Sequence, residues 1–250
     1  MKKLLLKSPI IFAILSLTYF SAMAQVSIPS SLKFCPKASP TIANCIKNSI
    51  EHLRPFLKTG DLGNNFLING LEPLDIDDIN LERGQGFFFY LQNIKAFKVS
   101  NFRIDKVRVN MKNLDFEFII DIPVADSIGD YKINLILGVV NIKGEGKFNS
   151  KLENMKIRLK IHGELYTQAG VEYMKIAKIE TKVQVPKITF QLHNLFKDKV
   201  LNDVSNNLVN DNIHLFIDDI EAKIQSSLSK SAFKSGNQIT QKIPFNILFT

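Results

Sequence analysis

The chain has 250 residues, 45% of them hydrophobic, with 32 basic against 24 acidic side chains and a formal charge of +8. That length fits one large domain or two small ones. The basic residues are scattered rather than gathered into an arm or a helix stripe, which argues against nucleic acid as a partner and leaves contact with acidic membrane surfaces open.

In chain order, the first element is a signal peptide over residues 1–24. Lys2, Lys3 and Lys7 form a basic start, Pro9 to Tyr19 is an apolar run, and Ala22-Met23-Ala24 is a small-x-small cleavage site. The run is short for a spanning helix, and no later stretch reaches the roughly 18 apolar residues that a membrane segment needs. The expected mature chain begins at Gln25, is soluble and secreted into the extracellular space, and loses three lysines, so that its formal charge falls from +8 to +5.

Cys35 and Cys45 are the only cysteines, and in an oxidising compartment they are expected to form one disulfide. Closing so short a loop contributes at most ~3 kcal/mol. A zinc site on this pair lacks two further ligands, because His52, His162, His193 and His214 are isolated from one another. No Asn-x-Ser/Thr sequon occurs.

Thr41 to Leu57 carries Ile42, Cys45, Ile46, Ile50, Leu53 and Leu57 at helical spacing, with Ser39 or Thr41 as cap, Gly60 as stop and Pro55 as the place for a bend. Gly70 to Ile79 reads as an extended connection whose three aspartates, Asp75, Asp77 and Asp78, lack the calcium-loop pattern and are read as solvated.

From Gly86 to Pro186 the period is two. Leu114, Phe116, Phe118, Ile120 and Ile122 share one face, as do Met155, Ile157, Leu159 and Ile161, and then Ile179, Thr181, Val183 and Val185. One dry and one wet face belong to antiparallel sheet. The phase slips between Ile104 and Val107 and between Leu152 and Met155, predicting an extra residue in each strand and strong curvature. Gly84-Gln85-Gly86 and Gly144-Glu145-Gly146 read as turns or bulges, too short for phosphate cradles.

Between Pro186 and Gly236 neither Pro nor Gly occurs, and apolar or small residues recur every fourth position: Leu192, Phe196, Val200, Val204, Leu208, then Phe216, Ile220, Ile224, Leu228, Ala232. A step of four overshoots a helical turn by roughly 40°, so the stripe winds around the cylinder and requires a partner that wraps it, such as a curved sheet. A helix of about 35 residues would be roughly 52 Å long against a radius of gyration near 17 Å, which predicts an elongated domain with a bend at Asn210 to Asn212. The predicted class is α+β: a long C-terminal α-helix wrapped by a highly curved antiparallel β-sheet, plus a short N-terminal helix, all in one domain over residues 25–250.

Catalytic signatures are missing: no Gly-x-Ser-x-Gly, P-loop, His-Glu-x-x-His or dinucleotide fingerprint occurs. The chain reads as no enzyme, with no cofactor and no metal. A filled core and a ligand cavity give the same alternation, so periodicity does not separate them.

The Cys35/Cys45 pair, Gly70-Leu-Glu-Pro-Leu-Asp, the Asn93 to Arg108 strand pair, Tyr131 to Gly146, Asn194-Leu-Phe, Leu208-Val-Asn and the ending Ile243-Pro-Phe-Asn-Ile-Leu-Phe occur in an order that resembles the insect takeout and haemolymph juvenile hormone binding protein family. Leu135 and Asn141 stand where that family often has Gly and Pro, and the single Cys pair is more similar to the takeout branch. The resemblance implies a TULIP-like super-roll, related to the bactericidal/permeability-increasing and lipid transfer proteins. It also implies an internal apolar tunnel for terpenoid hormones, fatty acids or similar lipids, without catalysis or metal.

Strand parity and the helix stripe nominate Phe87, Phe89, Phe116, Phe118, Tyr131, Ile133, Leu137, Ile157, Leu159, Val183, Phe196 and Phe216 as lining, with Tyr131 as a polar handle. The expected function is a secreted, monomeric carrier of a lipophilic small molecule. The alternative is a cationic surface protein that recognises anionic lipid or bacterial envelope through strand faces such as Lys156, Arg158 and Lys160.

Overall fold

The computed structural model describes residues 28–83, 87–137 and 140–250, the side chain of Leu137 excepted. The signal-peptide reading of residues 1–24 and the Gly84-Gln85-Gly86 turn lie outside the described residues. Helix α1 spans Ile42–Thr59 and buries Ile46 and Leu53 from its apolar face. Ser39 Oγ accepts from the Thr41 amide at 3.2 Å, whereas Thr41 makes no side-chain cap of its own. Pro55 lies inside the helix without ending it, and Gly60 closes it at φ 82, a left-handed conformation that costs glycine nothing. The Cys35–Cys45 disulfide ties the segment before α1 to the helix itself.

Among the described residues, eight strands form one antiparallel sheet: β1 Leu74–Ile76, β2 Ile79–Glu82, β3 Phe88–Phe97, β4 Arg103–Asn110, β5 Asp115–Leu137, β6 Val140–Gln168, β7 Val171–Gln184 and β8 Lys187–Leu192. A 3-10 turn, Val99–Asn101, joins β3 to β4. The frame is the β5–β6 hairpin, paired from Asp115↔His162 to Leu137↔Val140. At about 3.3 Å per residue the 23 residues of β5 would reach about 76 Å if straight, so the hairpin has to bend or stretch the molecule.

Two half-sheets share it. In the upper half β3 pairs Asp126–Asn134 of β5 while β8 pairs Phe148–Glu153 of β6. In the lower half β4 pairs Asp115–Asp121 of β5 while β7 pairs Lys156–Gln168 of β6. Between the halves sit Pro123, which has no amide to offer a ladder, and Asn154 at φ 58. Inward parity changes there on both strands, from Ile122 to Ala125 and from Met155 to Leu152, yet register holds because Ile122↔Met155 and Val124↔Glu153 flank the irregularity symmetrically. The slip expected at Leu152/Met155 is therefore matched on the partner strand. Register shifts lie at Ile104/Lys106, where the sequence expected one, and also at Gln92/Lys95 and His162/Gly163.

Gly144-Glu145-Gly146 is neither turn nor bulge: it lies within β6, and a Cβ on Gly144 would stand 2.8 Å from Leu195 Cδ1, one on Gly146 2.8 Å from the His193 carbonyl. The glycines let the loop after β8 lie flat on the strand.

The C-terminal helical region is two long helices, α2 Lys199–Asp211 and α3 Ile217–Thr240, broken by the 3-10 turn Ile213–Leu215, followed by the short α4 Phe245–Leu248. The stripe of four holds in α3, where Phe216, at its N-cap, Ile220 and Ile224 are buried. It fails before and within α2: Leu192 ends β8, Phe196 lies in the connection, and Val200 and Val204, on α2, are exposed. The buried face of α2 is polar because it covers the open edge of β8. Asn206 accepts from the Leu192 amide at 2.7 Å and donates to the Leu192 carbonyl at 3.0 Å; Asn210 does the same for Phe190 at 2.7 and 2.9 Å. Asn202 accepts from the Leu195 and Phe196 amides. Each carboxamide stands in for the peptide group of a further strand.

Helix α3 closes the roll. On one side Glu221 accepts from the Val185 amide at 2.6 Å, Ser229 donates to Thr181 Oγ1 at 2.7 Å, and Asn237 clamps the Ile176 amide and carbonyl, all on or beside β7. On the other side Ser227 accepts from the Asp77 amide, Lys230 pairs with the Asp77 carboxylate, and Ser235 and Gln238 hold Asn69. Gly236, read as the limit of the helical region, lies inside α3, where a Cβ would strike Ile176. No helix among the described residues is long and apolar enough to cross a membrane.

Candidate functional site

The half-sheets and α3 line two apolar, partly open chambers. The lower one, about 270 Å³, lies between α1 (Ile50, Leu53, Leu57), the inner face of the lower half-sheet (Phe102, Ile104, Phe118, Ile120, Ile157, Leu159) and the second half of α3 (Ser231, Ala232, Ser235, Gly236, Ile239). Its space comes from the small residues that α3 turns toward it. Among the described residues, no charged side chain lies on its wall.

The upper chamber, about 50 Å³, lies beneath β1, β3, β5, β6 and β8 and the Ile220–Leu228 stretch of α3. Along β5 its wall holds the small residues Ala125 and Ser127, facing Leu152 and Ser150 on β6, while Phe148 folds over Gly129, whose added Cβ would meet its ring at 2.7 Å. Val99 and Leu228 are the residues common to both walls.

Of the residues nominated from sequence, Phe118, Ile157 and Leu159 line the lower chamber. Phe87, Phe89 and Phe216 instead form one aromatic group, Phe216 stacking on Phe87 at 5.7 Å and meeting Phe89 edge-on at 6.1 Å. Phe116 stacks on Phe249 at 6.0 Å, Ile133 and Val183 are buried, and Phe196 is half-buried; these, with Tyr131 and the aromatic group, line neither chamber. Leu137 pairs with Val140 at the hairpin end, and its side chain lies outside the described residues. Sequence reasoning missed Val99, Ser127, Ser150 and the small residues of α3. The signal for the last group was present in Ser231/Ser235 and Ala232/Gly236, two pairs four apart.

Tyr131 donates its hydroxyl to the His193 carbonyl at 2.9 Å, fastening β5 to the loop after β8, and burial pushes its phenol up to about 12. Replacing Tyr131 by Phe is expected to cost about 1 kcal/mol in urea unfolding and to leave ligand affinity unchanged; a tenfold affinity loss would show a contact with ligand instead.

The outer face is acid-matched. Glu117 lies between Arg108, at 2.6 Å, and Arg158, and the Arg108 guanidinium first, then that of Arg158, hold its carboxyl below the usual carboxylate range. Lys156 reaches Asp121 at 3.7 Å. The basic strand residues that suggested an anionic surface partner are thus partly neutralised in place.

A curved antiparallel sheet closed by a helix over apolar chambers is a known architecture. The crystal structure of Epiphyas postvittana Takeout 1 superposes with a TM-score of 0.71 at 22% identity, covering 86% of this chain and 98% of that one. The crystal structure of lipopolysaccharide binding protein covers 78% of this chain and 39% of that one at 10% identity with a TM-score of 0.40, too loose a likeness to build on. No curated protein matches the chain. Residues 11–250 match the haemolymph juvenile hormone binding protein family, and the chain belongs to it.

Proposed function

We propose that the protein is a secreted carrier that encloses one lipophilic small molecule, a juvenile hormone-like terpenoid, a fatty acid or a related lipid, in its interior. The observation that carries this reading is the lower chamber: about 270 Å³, walled mainly by apolar side chains from α1, the sheet and α3, with no charged side chain among the described residues on it. Binding would rest on removing hydrocarbon from water, at about 25 cal/mol per Å² buried. Family membership supports a carrier role. Secretion is supported by the leader-like residues 1–24 and by the Cys35–Cys45 disulfide, a bond that persists in oxidising compartments.

A fluorescent fatty-acid probe is expected to bind at one per chain and to be displaced by juvenile hormone, and organic extraction of the natively produced protein to release a stoichiometric lipophile. A protein that takes up no probe and releases nothing is no carrier.

A further inference from the structure

In the upper chamber, Ser127 and Ser150 face each other across β5 and β6, 7% and 6% exposed, on inner strand faces that otherwise carry apolar or small residues. Their hydroxyl oxygens are 2.6 Å apart. Two hydroxyls bring two protons, and the bond between them uses one. The second has no acceptor among the described residues. A free donor is thus held inside an apolar chamber of about 50 Å³, room for a group the size of about three to five waters at about 10–15 Å³ each.

Among the described residues no Lys, Arg or His borders this chamber; Asp126, between the inward-facing Ala125 and Ser127, turns its carboxylate to the outer face, where it pairs with Lys98 at 2.5 Å. A carboxylate placed here would be buried without a cation, which disfavours the charged form. An ester, ketone or epoxide oxygen would accept the spare proton at no such cost.

We infer that Ser127 and Ser150 form the polar seat of the ligand site, taking an uncharged hydrogen-bond acceptor at the head of a lipid whose hydrocarbon tail passes Val99 and Leu228 into the lower chamber. The inference rests on the carrier reading and adds to it the head-group class: neutral lipid esters, ketones or epoxides over free fatty acids.

The test is displacement of N-phenyl-1-naphthylamine at pH 8 by methyl palmitate, palmitate and hexadecane. With the native protein methyl palmitate is expected to displace at about tenfold lower concentration than either competitor, the step that one hydrogen bond to a buried donor gives. Ser127→Ala or Ser150→Ala alone keeps the preference, since the remaining hydroxyl frees its proton for the ligand. The double variant Ser127→Ala/Ser150→Ala brings ester and alkane within about twofold while the hexadecane value stays unchanged, which shows that the chamber is intact.

A double variant that still prefers the ester, or a native protein that takes palmitate as readily, overturns the inference and leaves the carrier reading standing; a pair kept only to strengthen the sheet gives the first of these results. Native protein that does not bind the naphthylamine, and in which no competitor changes tryptic protection, overturns both.

Discussion

Asn206→Ala is expected to unfold at a markedly lower urea concentration, with a loss of about 3 kcal/mol, whereas Asn207→Ala, one position along the same helix and exposed, shifts stability by less than about 0.5 kcal/mol. The side chain of Asn206 is the partner of both the amide and the carbonyl of Leu192, a residue with no measurable exposure. Alanine leaves two buried backbone groups without partners, each worth about 1–3 kcal/mol. Asn206→Asp is expected to fare no better, because a carboxylate cannot donate to the carbonyl. Equal midpoints for the 206 and 207 variants would mean that water replaces the carboxamide freely and that α2 is not what protects the β8 edge.

The largest effect on binding is expected from Ala232→Phe. Ala232 lies on α3 where Ser231, Ser235 and Gly236 leave the lower chamber open, so an added phenyl ring occupies space that the ligand needs. Affinity for a fatty-acid probe should fall more than tenfold, about 1.4 kcal/mol or more. The ring fills a void rather than a packed core, so the ligand-free protein should melt no lower than the native one. A variant that melts lower and binds normally would place Ala232 against packed side chains and the ligand elsewhere.

The sheet was legible because alternation is a direct imprint of one dry face, and its bends were legible where parity slips, as at Ile104. The α3 stripe was legible for the same reason: Phe216, Ile220 and Ile224 meet an apolar surface. The α2 stripe misled because spacing counts apolar residues, and this helix packs on a strand edge, where the need is for hydrogen-bonding groups. Val200 and Val204 shared a period with the true core and point away from it, while Asn202, Asn206 and Asn210, four apart in the same window, carried the contact.

The chambers were harder to read than the fold for a physical reason. A cavity is defined by atoms that are missing, and small residues such as Ser127, Gly129, Ala232 and Gly236 are too common in loops and turns to stand out. The aromatic residues nominated as lining are the ones that fill space, and Phe87, Phe89 and Phe216 fill it against each other.

The seam that α3 closes also sets an order in time. Chains are made from the N-terminus, and the β5–β6 frame is complete by Gln168, with both half-sheets present by Leu192. Residues 217–240, which supply a wall to both chambers and bridge β7 to Asn69 and Asp77, are made after both half-sheets. Until they emerge, the growing chain holds a trough of phenylalanine and isoleucine with its final cover still unmade. The cavity that would receive a ligand and the protection of that trough from neighbouring chains are created by the same two dozen residues, after the sheet is made.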